Sequence, residues 1–207
     1  MKRGAQKRPK KATSHSGAIR IISGKWRGRK LPVMNEEGLR PTTDRTKETL
    51  FNWLMMHIRD AVCLDAYAGS GSLGLEALSR GASKCVFIER ERHIAAQIES
   101  NLASLDVSEY SANVLQEDFS SAISKLPSLC ESGFSLVFID PPFRKELVQP
   151  TIDQLIKYQM LTASALVYIE VELDHPPLRL PSTWKQRKLK QTNNVKYMLY
   201  EIDSAQD

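Results

Sequence analysis

Apolar positions follow two different periods along the chain, and the first of these periods is helical. A helix should begin at Thr43 or Asp44, because either side chain can cap it. Its apolar residues recur at helical spacing, and they are Leu50, Phe51, Leu54, Met55 and Ile58. One amphipathic helix is therefore predicted ahead of the main part of the fold.

From residue 61 the pattern becomes an alternation of apolar strands and amphipathic helices. The predicted strands span residues 61–66, 84–89, 112–116, 134–140 and 165–172. The predicted helices between them span residues 72–80, 91–105, 120–129 and 145–158. Repeated β-α-β units form a parallel sheet that is covered on both faces.

The end of the chain breaks this alternation. Two strand-like runs, residues 184–191 and 195–202, are joined by only three residues, which predicts an antiparallel hairpin. The fold class is therefore α/β and Rossmann-like, with a mostly parallel sheet of seven strands that ends in an antiparallel hairpin. This arrangement is typical of class I methyltransferases, which use S-adenosylmethionine, rather than of dehydrogenases.

The segment before the sheet holds all of the positive excess of the chain. Residues 1–30 contain 11 Lys or Arg and no acid, whereas the remaining residues carry 18 bases and 24 acids. Residues 1–17 lack apolar periodicity and are expected to form a basic, disordered tail, which either attracts a phosphate backbone or is merely solvated. Residues 18–39 are expected to form an extension built on a small β-hairpin, and residues 40–207 the catalytic domain.

The predicted hairpin combines cations with an aromatic residue, as RNA-binding surfaces do. Its candidate contacts to RNA are Arg20, Lys25, Trp26, Arg27 and Arg29. Trp26 lies among these cations, where it could stack on a base of the RNA. A tryptophan that packs the hairpin onto the main domain would explain the presence of Trp26 equally well.

Residues 64–74 form a glycine-rich turn between the first strand of the sheet and a helix. The glycines let a ligand approach the backbone, at the sheet edge where open α/β folds bind ligands. The spacing also satisfies G-x-G-x-x-G, so the turn alone fits a dinucleotide as well. Its candidate cofactor contacts are Ala68, Gly69, Ser70 and Gly71.

Acidic residues near the strand ends bear on the choice between a dinucleotide and S-adenosylmethionine as the ligand. Asp65 precedes the first glycine by four residues, where it would repel a pyrophosphate but can balance a methionyl ammonium, which favours S-adenosylmethionine. Glu89, followed by Arg90, can accept hydrogen bonds from two ribose hydroxyls in either class of cofactor. Asp118 can accept from an adenine amino group with Phe119 near the ring, although a helix cap and a core aromatic explain the same pair.

The most specific motif is D-P-P-F at residues 140–143, which ends the fourth strand of the alternation. An exocyclic base amine is a poor nucleophile, because its lone pair is delocalised into the ring. Hydrogen bonds to the Asp140 carboxylate and the Pro141 carbonyl would free that lone pair for in-line attack on a methyl group. Pro141 and Pro142 fix the loop, and Phe143 offers a face for the target base. Positioning and electrostatics supply the acceleration, so no Cys or His nucleophile is needed.

Several stretches resemble the signature of the RsmD family, the 16S ribosomal RNA guanine-N2 methyltransferases. They include R-P-T-T-D-R at 40–45, K-E-T-L-F-N-W-L at 47–54, R-I-I-S-G-K-W-R-G-R-K-L at 20–31, L-G-L-E-A at 73–77 and residues 137–144. The resemblance runs from about residue 19 to the final hairpin. It implies transfer of a methyl group from S-adenosylmethionine to N2 of one guanine in the 16S RNA of the small ribosomal subunit.

The resemblance also implies roles for particular residues. The cofactor would be held by Asp65, Gly69, Gly71, Glu89 and Asp118, and residues 140–143 would form the catalytic loop. Candidates for contact with cofactor or RNA beside the active site are Arg40, Thr42 and Arg45, and Arg144 is a further candidate for contact with RNA. A capped, salt-bridged start of the first helix is the alternative for Arg40, Thr42 and Arg45. We expect a guanine in a loop or bulge, because a base must be unstacked to enter such a pocket, and we expect a monomer.

Other classes of protein are disfavoured to different degrees. The three cysteines and four histidines lie too far apart for a disulfide framework or a metal site, so no metal is expected. No apolar run approaches the roughly 18 residues of a membrane span, so we expect a cytoplasmic protein without a membrane partner. An amino-methyltransferase acting on adenine N6, a nicotinamide oxidoreductase and an RNA-binding assembly factor with a vestigial site remain alternatives.

Overall fold

The computed structural model describes residues 17–34 and 44–203. A small antiparallel hairpin, formed by β1 (Gly17–Arg20) and β2 (Lys30–Val33), precedes helix α1 (Asp44–Trp53). Both the hairpin and a helix starting at Asp44 agree with the sequence prediction. Of the predicted basic tail, residues 1–17, the first sixteen lie outside the described residues, as do Arg40 and Thr42. The expected end of the tail is wrong by one residue, because Gly17 is the first residue of β1 and pairs with Val33.

The main sheet has seven strands. They are β3 (Val62–Asp65), β4 (Lys84–Ile88), β5 (Ala112–Leu115), β6 (Phe134–Ile139), β7 (Leu161–Glu172), β8 (Trp184–Gln191) and β9 (Val195–Ile202). The helices among them are α2 (Ser72–Ser79), α3 (Arg92–Ser104), α4 (Phe119–Ala122), α5 (Leu126–Leu129) and α6 (Val148–Lys157). In the described ranges, no helix is both long and apolar enough to cross a membrane.

The strand order in the sheet is β5-β4-β3-β6-β7-β9-β8. Strands β3 to β7 are parallel, and β9 runs antiparallel to both of its neighbours. This confirms the predicted fold class. The chain winds outward in opposite directions from β3 and β6, which is the point at which open α/β sheets form a ligand crevice. These two strands lead into the glycine turn and the D-P-P-F loop.

Four element boundaries differ clearly from the prediction. Helix α1 ends at Trp53, so Leu54, Met55 and Ile58, which were expected on the helix, follow it, and Met55 is 66% exposed. The predicted helix 120–129 is divided into α4, a 3-10 turn (Ile123–Lys125) and α5, because Pro127 has no N–H to donate to the carbonyl of Ile123. Helix α6 begins three residues later than predicted, since Arg144 and Glu146 adopt left-handed φ values of 59° and 53°. Strand β7 begins four residues earlier, at Leu161, and its pairing with β6 contains a register shift.

The N-terminal hairpin packs on α1 and α2 and shares a hydrophobic core with them. The fully buried carboxylate of Glu76 accepts the N–H groups of Ile22 and Ser23 at 2.8 and 3.0 Å and the Nε of Arg80 at 2.7 Å. From α1, the buried Lys47 donates to the carbonyl of Arg20 at 2.6 Å. Burial lowers the pKa of Lys47, and the negative charge of Glu76 opposes this. Buried polar groups therefore fix the hairpin to the sheet domain.

The tip of the hairpin approaches α2 closely at Gly24. A Cβ atom at this position would lie 1.8 Å from the carbonyl oxygen of Ser79, and the φ of Gly24 is +84°. The close approach lets Lys25 donate its N–H to that carbonyl at 2.7 Å. Trp26 is half-buried and packs against the core, so packing onto the main domain accounts for its position.

Candidate active site

A cleft of about 880 Å³ opens at the carboxyl ends of the parallel strands. Most of the residues predicted to bind cofactor or to act in catalysis line it. They are Asp65, Ala68, Gly69, Ser70, Glu89, Arg90, Asp118, Phe119, Asp140, Pro141, Pro142 and Phe143. Gly71 is the exception: it is buried beneath the turn with a φ of 74°, and a Cβ there would lie 3.3 Å from Ile98 and Leu75. Gly71 therefore shapes the turn from below.

Asp65 ends β3 at the floor of the cleft. Its side chain is buried, and its Oδ2 accepts the backbone N–H of Gly74 at 3.0 Å, in the first turn of α2. Burial raises the pKa of Asp65 to about 7, the hydrogen bond from Gly74 opposes this rise, and the nearby charge of Glu89 adds to it. A cationic group entering the cleft beside Asp65 would favour the ionised form of this carboxyl.

Glu89 connects the end of β4 to the glycine turn. Its Oε2 accepts the N–H of Gly69, and its Oε1 accepts the N–H of Glu91, both at 2.8 Å. These bonds hold the carboxylate in one orientation in the cleft wall. A carboxylate has about four acceptor positions, and Glu89 lines the cleft, so it can accept hydrogen bonds from hydroxyl groups of a ligand.

Asp118 is the N-cap of α4, and Phe119 is buried in the core. The carboxylate accepts the N–H of Ser121 and the hydroxyls of Ser120 and Ser121, and these bonds, the one from Ser120 foremost, lower the pKa of Asp118. The cap and the core aromatic foreseen as alternatives are thus both present. Phe119 stacks on Tyr67 with 6.0 Å between ring centroids. Both Asp118 and Phe119 still line the cleft.

The D-P-P-F loop follows β6 directly and forms another part of the cleft wall. Asp140 is half-buried, Pro141 is buried, and Phe143 is 36% exposed. The loop is fixed at its far end, where the N–H of Arg144 donates to the carboxylate of Glu172 on β7. A carboxylate, a backbone carbonyl and an exposed aromatic ring therefore stand together on a restrained loop.

Several residues that the sequence did not single out also line the cleft. They include Thr46, Ser72, Gln154, Glu170 and Tyr197. The hydroxyl of Ser72 is buried and makes no hydrogen bond to any described residue. Ser72 is the first residue of α2, so its hydroxyl lies at the positive end of a helix of eight residues. A buried donor without a partner, at such a position, suits an anionic group of a ligand.

The predicted RNA contacts lie outside the cleft. The side chains of Arg20, Lys25, Arg27 and Arg29 are exposed on the hairpin, and Arg45 is exposed on α1. Residues at the base of the hairpin, including Gly17 and Val33, do line the cleft. The exposed cations therefore belong to an extension that reaches the rim of the candidate site.

Comparison with known proteins gives consistent matches over nearly the whole chain. The family model described as Conserved hypothetical protein 95 matches residues 19–201. Ribosomal RNA small subunit methyltransferase D of Haemophilus influenzae is 49% identical, over 89% of this chain and 94% of its own length.

Solved structures show the same fold. A protein described as putative methyltransferase yhhF from Escherichia coli has a TM-score of 0.80 at 42% identity, covering 90% of this chain and 99% of the other. An RNA methyltransferase from Salinibacter ruber, solved with S-adenosyl-L-homocysteine, has a TM-score of 0.58 at 14% identity, with coverages of 81% and 98%. At that identity the likeness concerns the fold alone.

Proposed function

The chain belongs to the RsmD family of methyltransferases, and we propose that it transfers a methyl group from S-adenosylmethionine to the exocyclic N2 of a guanine in 16S ribosomal RNA. The substrate class follows the relative from Haemophilus influenzae, which is named as a ribosomal RNA small subunit methyltransferase. The modification of N2 follows the family resemblance of residues 40–54 and 137–144.

The proposal rests on the position of two groups of residues in the cleft. A glycine turn with its acidic residues and a D-P-P-F loop lie on neighbouring strands, β3 and β6, and line a single cleft. The first group has the chemistry to hold an amino-acid zwitterion and a nucleoside. The second group has the chemistry to hold a base amine. Methyl transfer requires both within one water-restricted space.

The residues of the first group fit S-adenosylmethionine. Asp65 would balance its ammonium group. The hydroxyl of Ser72, which has no hydrogen-bond partner among the described residues, would donate to its carboxylate from the start of α2. Glu89 would accept the ribose hydroxyls, and Asp118 and Phe119 would lie against the adenine. When bound, this cofactor supplies an electrophilic methyl group on a sulfonium.

The D-P-P-F loop would activate the target amine. The Asp140 carboxylate and the Pro141 carbonyl both accept hydrogen bonds, so together they would hold the two N–H groups of the amine and turn its lone pair out of conjugation. Phe143 would stack on the base and set its plane. Because Arg144 is held by Glu172, the loop needs little reorganisation to adopt the reactive arrangement.

The N-terminal extension, residues 18–39, would hold the RNA beside the catalytic domain, residues 40–207. Its exposed cations would contact phosphates without reading the sequence, while Trp26 contributes mainly to packing. The target guanine would come from a loop or a bulge, since a paired base would first have to leave its stack.

Substitution of Asp140 by Ala tests the catalytic assignment. Methyl transfer to small-subunit RNA should fall by on the order of a hundredfold or more, because the amine loses a positioned acceptor. Affinity for S-adenosylhomocysteine and for RNA should stay unchanged. Asp153→Ala, an exposed acid on α6, is the matched control and should transfer at the full rate. An Asp140→Ala protein with full activity would exclude the proposed mechanism.

A further inference from the structure

A second carboxylate stands beside the catalytic loop, on the neighbouring strand. Strands β6 and β7 pair in parallel with Ile139 opposite Ile169, so the next residues along, Asp140 and Glu170, are adjacent. Both line the cleft, and each is half-buried. The D-P-P-F motif gives no indication of Glu170, which is brought to the site only by the register of the sheet.

Glu170 is held in place from beneath. Its Oε2 accepts the hydroxyl of Tyr168, which is fully buried, at 3.1 Å. Burial, and the charges of Glu170 and Asp140, raise the pKa of Tyr168 well above its ordinary value, so this hydroxyl keeps its proton and remains a donor. Tyr168 is fixed in turn by stacking on Tyr197, with 6.5 Å between ring centroids and an angle of 11° between the rings.

Tyr197 completes this wall of the cleft. It pairs with Glu170 across β7 and β9, and it lines the cleft itself. Its hydroxyl lies 3.5 Å from that of Thr46 on α1. Glu170 thus occupies an ordered polar wall next to the loop that would receive the target amine.

The edge of guanine that carries N2 has a distinctive arrangement of donors. The N2 amine and the N1–H lie side by side, and both donate hydrogen bonds. In adenine, the ring nitrogen beside the exocyclic amine carries a lone pair and accepts. A carboxylate only accepts, so a second carboxylate next to Asp140 complements guanine and repels adenine.

We propose that Glu170 selects guanine by accepting the N1–H of the target base while the D-P-P-F loop holds its N2 amine. This inference rests on the proposed function and deepens it. The loop serves any exocyclic amine, so the choice of base must come from another group in the cleft. Tyr168 acts as a positioning residue for the Glu170 carboxylate.

The test compares two RNA substrates, one with the natural guanine and one with 2-aminopurine at the same position. The analogue retains the amine at C2, but its N1 is an acceptor. The unaltered protein should prefer guanine by on the order of a hundredfold in kcat/KM, since a site built to accept a hydrogen bond rejects an analogue that lacks the donor. In Glu170→Gln, whose amide also donates, this ratio should fall at least about tenfold.

Two further variants separate a selective role from a structural one. Tyr168→Phe should move the ratio in the same direction by a smaller factor, because Glu170 loses the hydroxyl that orients it. Glu201→Gln, on β9 and away from the cleft, should leave the ratio unchanged. Affinity for S-adenosylhomocysteine should be the same in all of these proteins.

Failure of the inference about Glu170 can be distinguished from failure of the proposed function. If the unaltered protein methylates guanine N2 and Glu170→Gln loses activity equally on both substrates, the ratio is preserved and Glu170 is only structural, which overturns this inference alone. If the unaltered protein forms no N2-methylguanosine, the proposed function fails and the inference fails with it.

Discussion

The Oδ2 of Asp65 accepts the backbone N–H of Gly74 at 3.0 Å, which joins the end of β3 to the first turn of α2. The contact depends on the absence of a side chain at Gly74, where a Cβ would lie 2.2 Å from Cε1 of Phe87 on β4. The third glycine of the turn therefore serves close packing of helix against strand. That packing in turn buries Asp65 and raises the pKa of its carboxyl.

We expect the affinity for S-adenosylhomocysteine to depend on pH through Asp65. Its pKa of about 7 means that the free protein holds a proton on this carboxyl below pH 7, and binding of an ammonium must displace it. Affinity should fall by up to about tenfold for each pH unit below 7 and should level off above 7. Titration calorimetry in buffers that span this range measures the effect. The Asp65→Asn variant should bind S-adenosylhomocysteine more weakly, and its affinity should not depend on pH. If the affinity of the unaltered protein does not change with pH, the proposed role of Asp65 is wrong.

A pair of serines on α2 should show opposite effects on binding and stability. Ser72→Ala should lower the affinity for S-adenosylhomocysteine by about five- to tenfold, the value of one hydrogen bond. It should not lower the stability of the free protein, because its buried hydroxyl has no partner among the described residues. Ser79→Ala should leave the affinity unchanged and lower stability, since Ser79 donates to the carbonyl of Ser23 at 2.6 Å. Calorimetry and urea unfolding of both variants check the pair. Equal affinities for Ser72→Ala and the unaltered protein would exclude a contact with the ligand.

Glu76→Gln should destabilise the protein by about 3 kcal/mol, because an amide nitrogen would replace one acceptor among three buried or half-buried donors. The free energy of unfolding in urea measures this. Glu99→Gln, at an exposed position on α3, is the control and should stay within about 0.5 kcal/mol of the unaltered protein. A change as small as that in Glu99→Gln would show that Glu76 does not anchor the hairpin.

Charge reversal on the hairpin tests its contact with RNA. The double variant Lys25→Glu and Arg27→Glu should bind RNA more weakly, and the slope of log affinity against log salt should be shallower by roughly 1.4, since two phosphate contacts are lost. Affinity for S-adenosylhomocysteine should not change. Lys157→Glu, exposed at the far end of α6, is the matched control. A salt slope equal to that of Lys157→Glu would remove the hairpin from the RNA interface.

Some features of the fold follow directly from local sequence. Strands β8 and β9 have the predicted bounds, because a strand-like run on each side of a three-residue connection leaves little freedom of register. Asp65 and Asp140 lie at one cleft because parallel strands end at the same edge of a sheet. These predictions required no knowledge of long-range packing.

Other features depend on contacts that no local pattern contains. Glu76 and Lys47 are charged residues of the kind usually found on the solvated face of a helix. Both are buried in contact with the N-terminal hairpin, where Ile22 lies 54 residues before Glu76 and Arg20 lies 27 residues before Lys47. Glu170 reaches the site through the register between β6 and β7. Nothing in the local sequence distinguishes Ser72, whose hydroxyl is buried only in the folded protein, in the cleft that Asp65 also lines.

Methyl transfer from labelled S-adenosylmethionine to small ribosomal subunits that lack the modification, followed by nuclease digestion and mass spectrometry of the nucleosides, tests the proposed function. If the proposed function is right, the label appears in N2-methylguanosine. Label in N6-methyladenosine, or no transfer to any RNA, would contradict it.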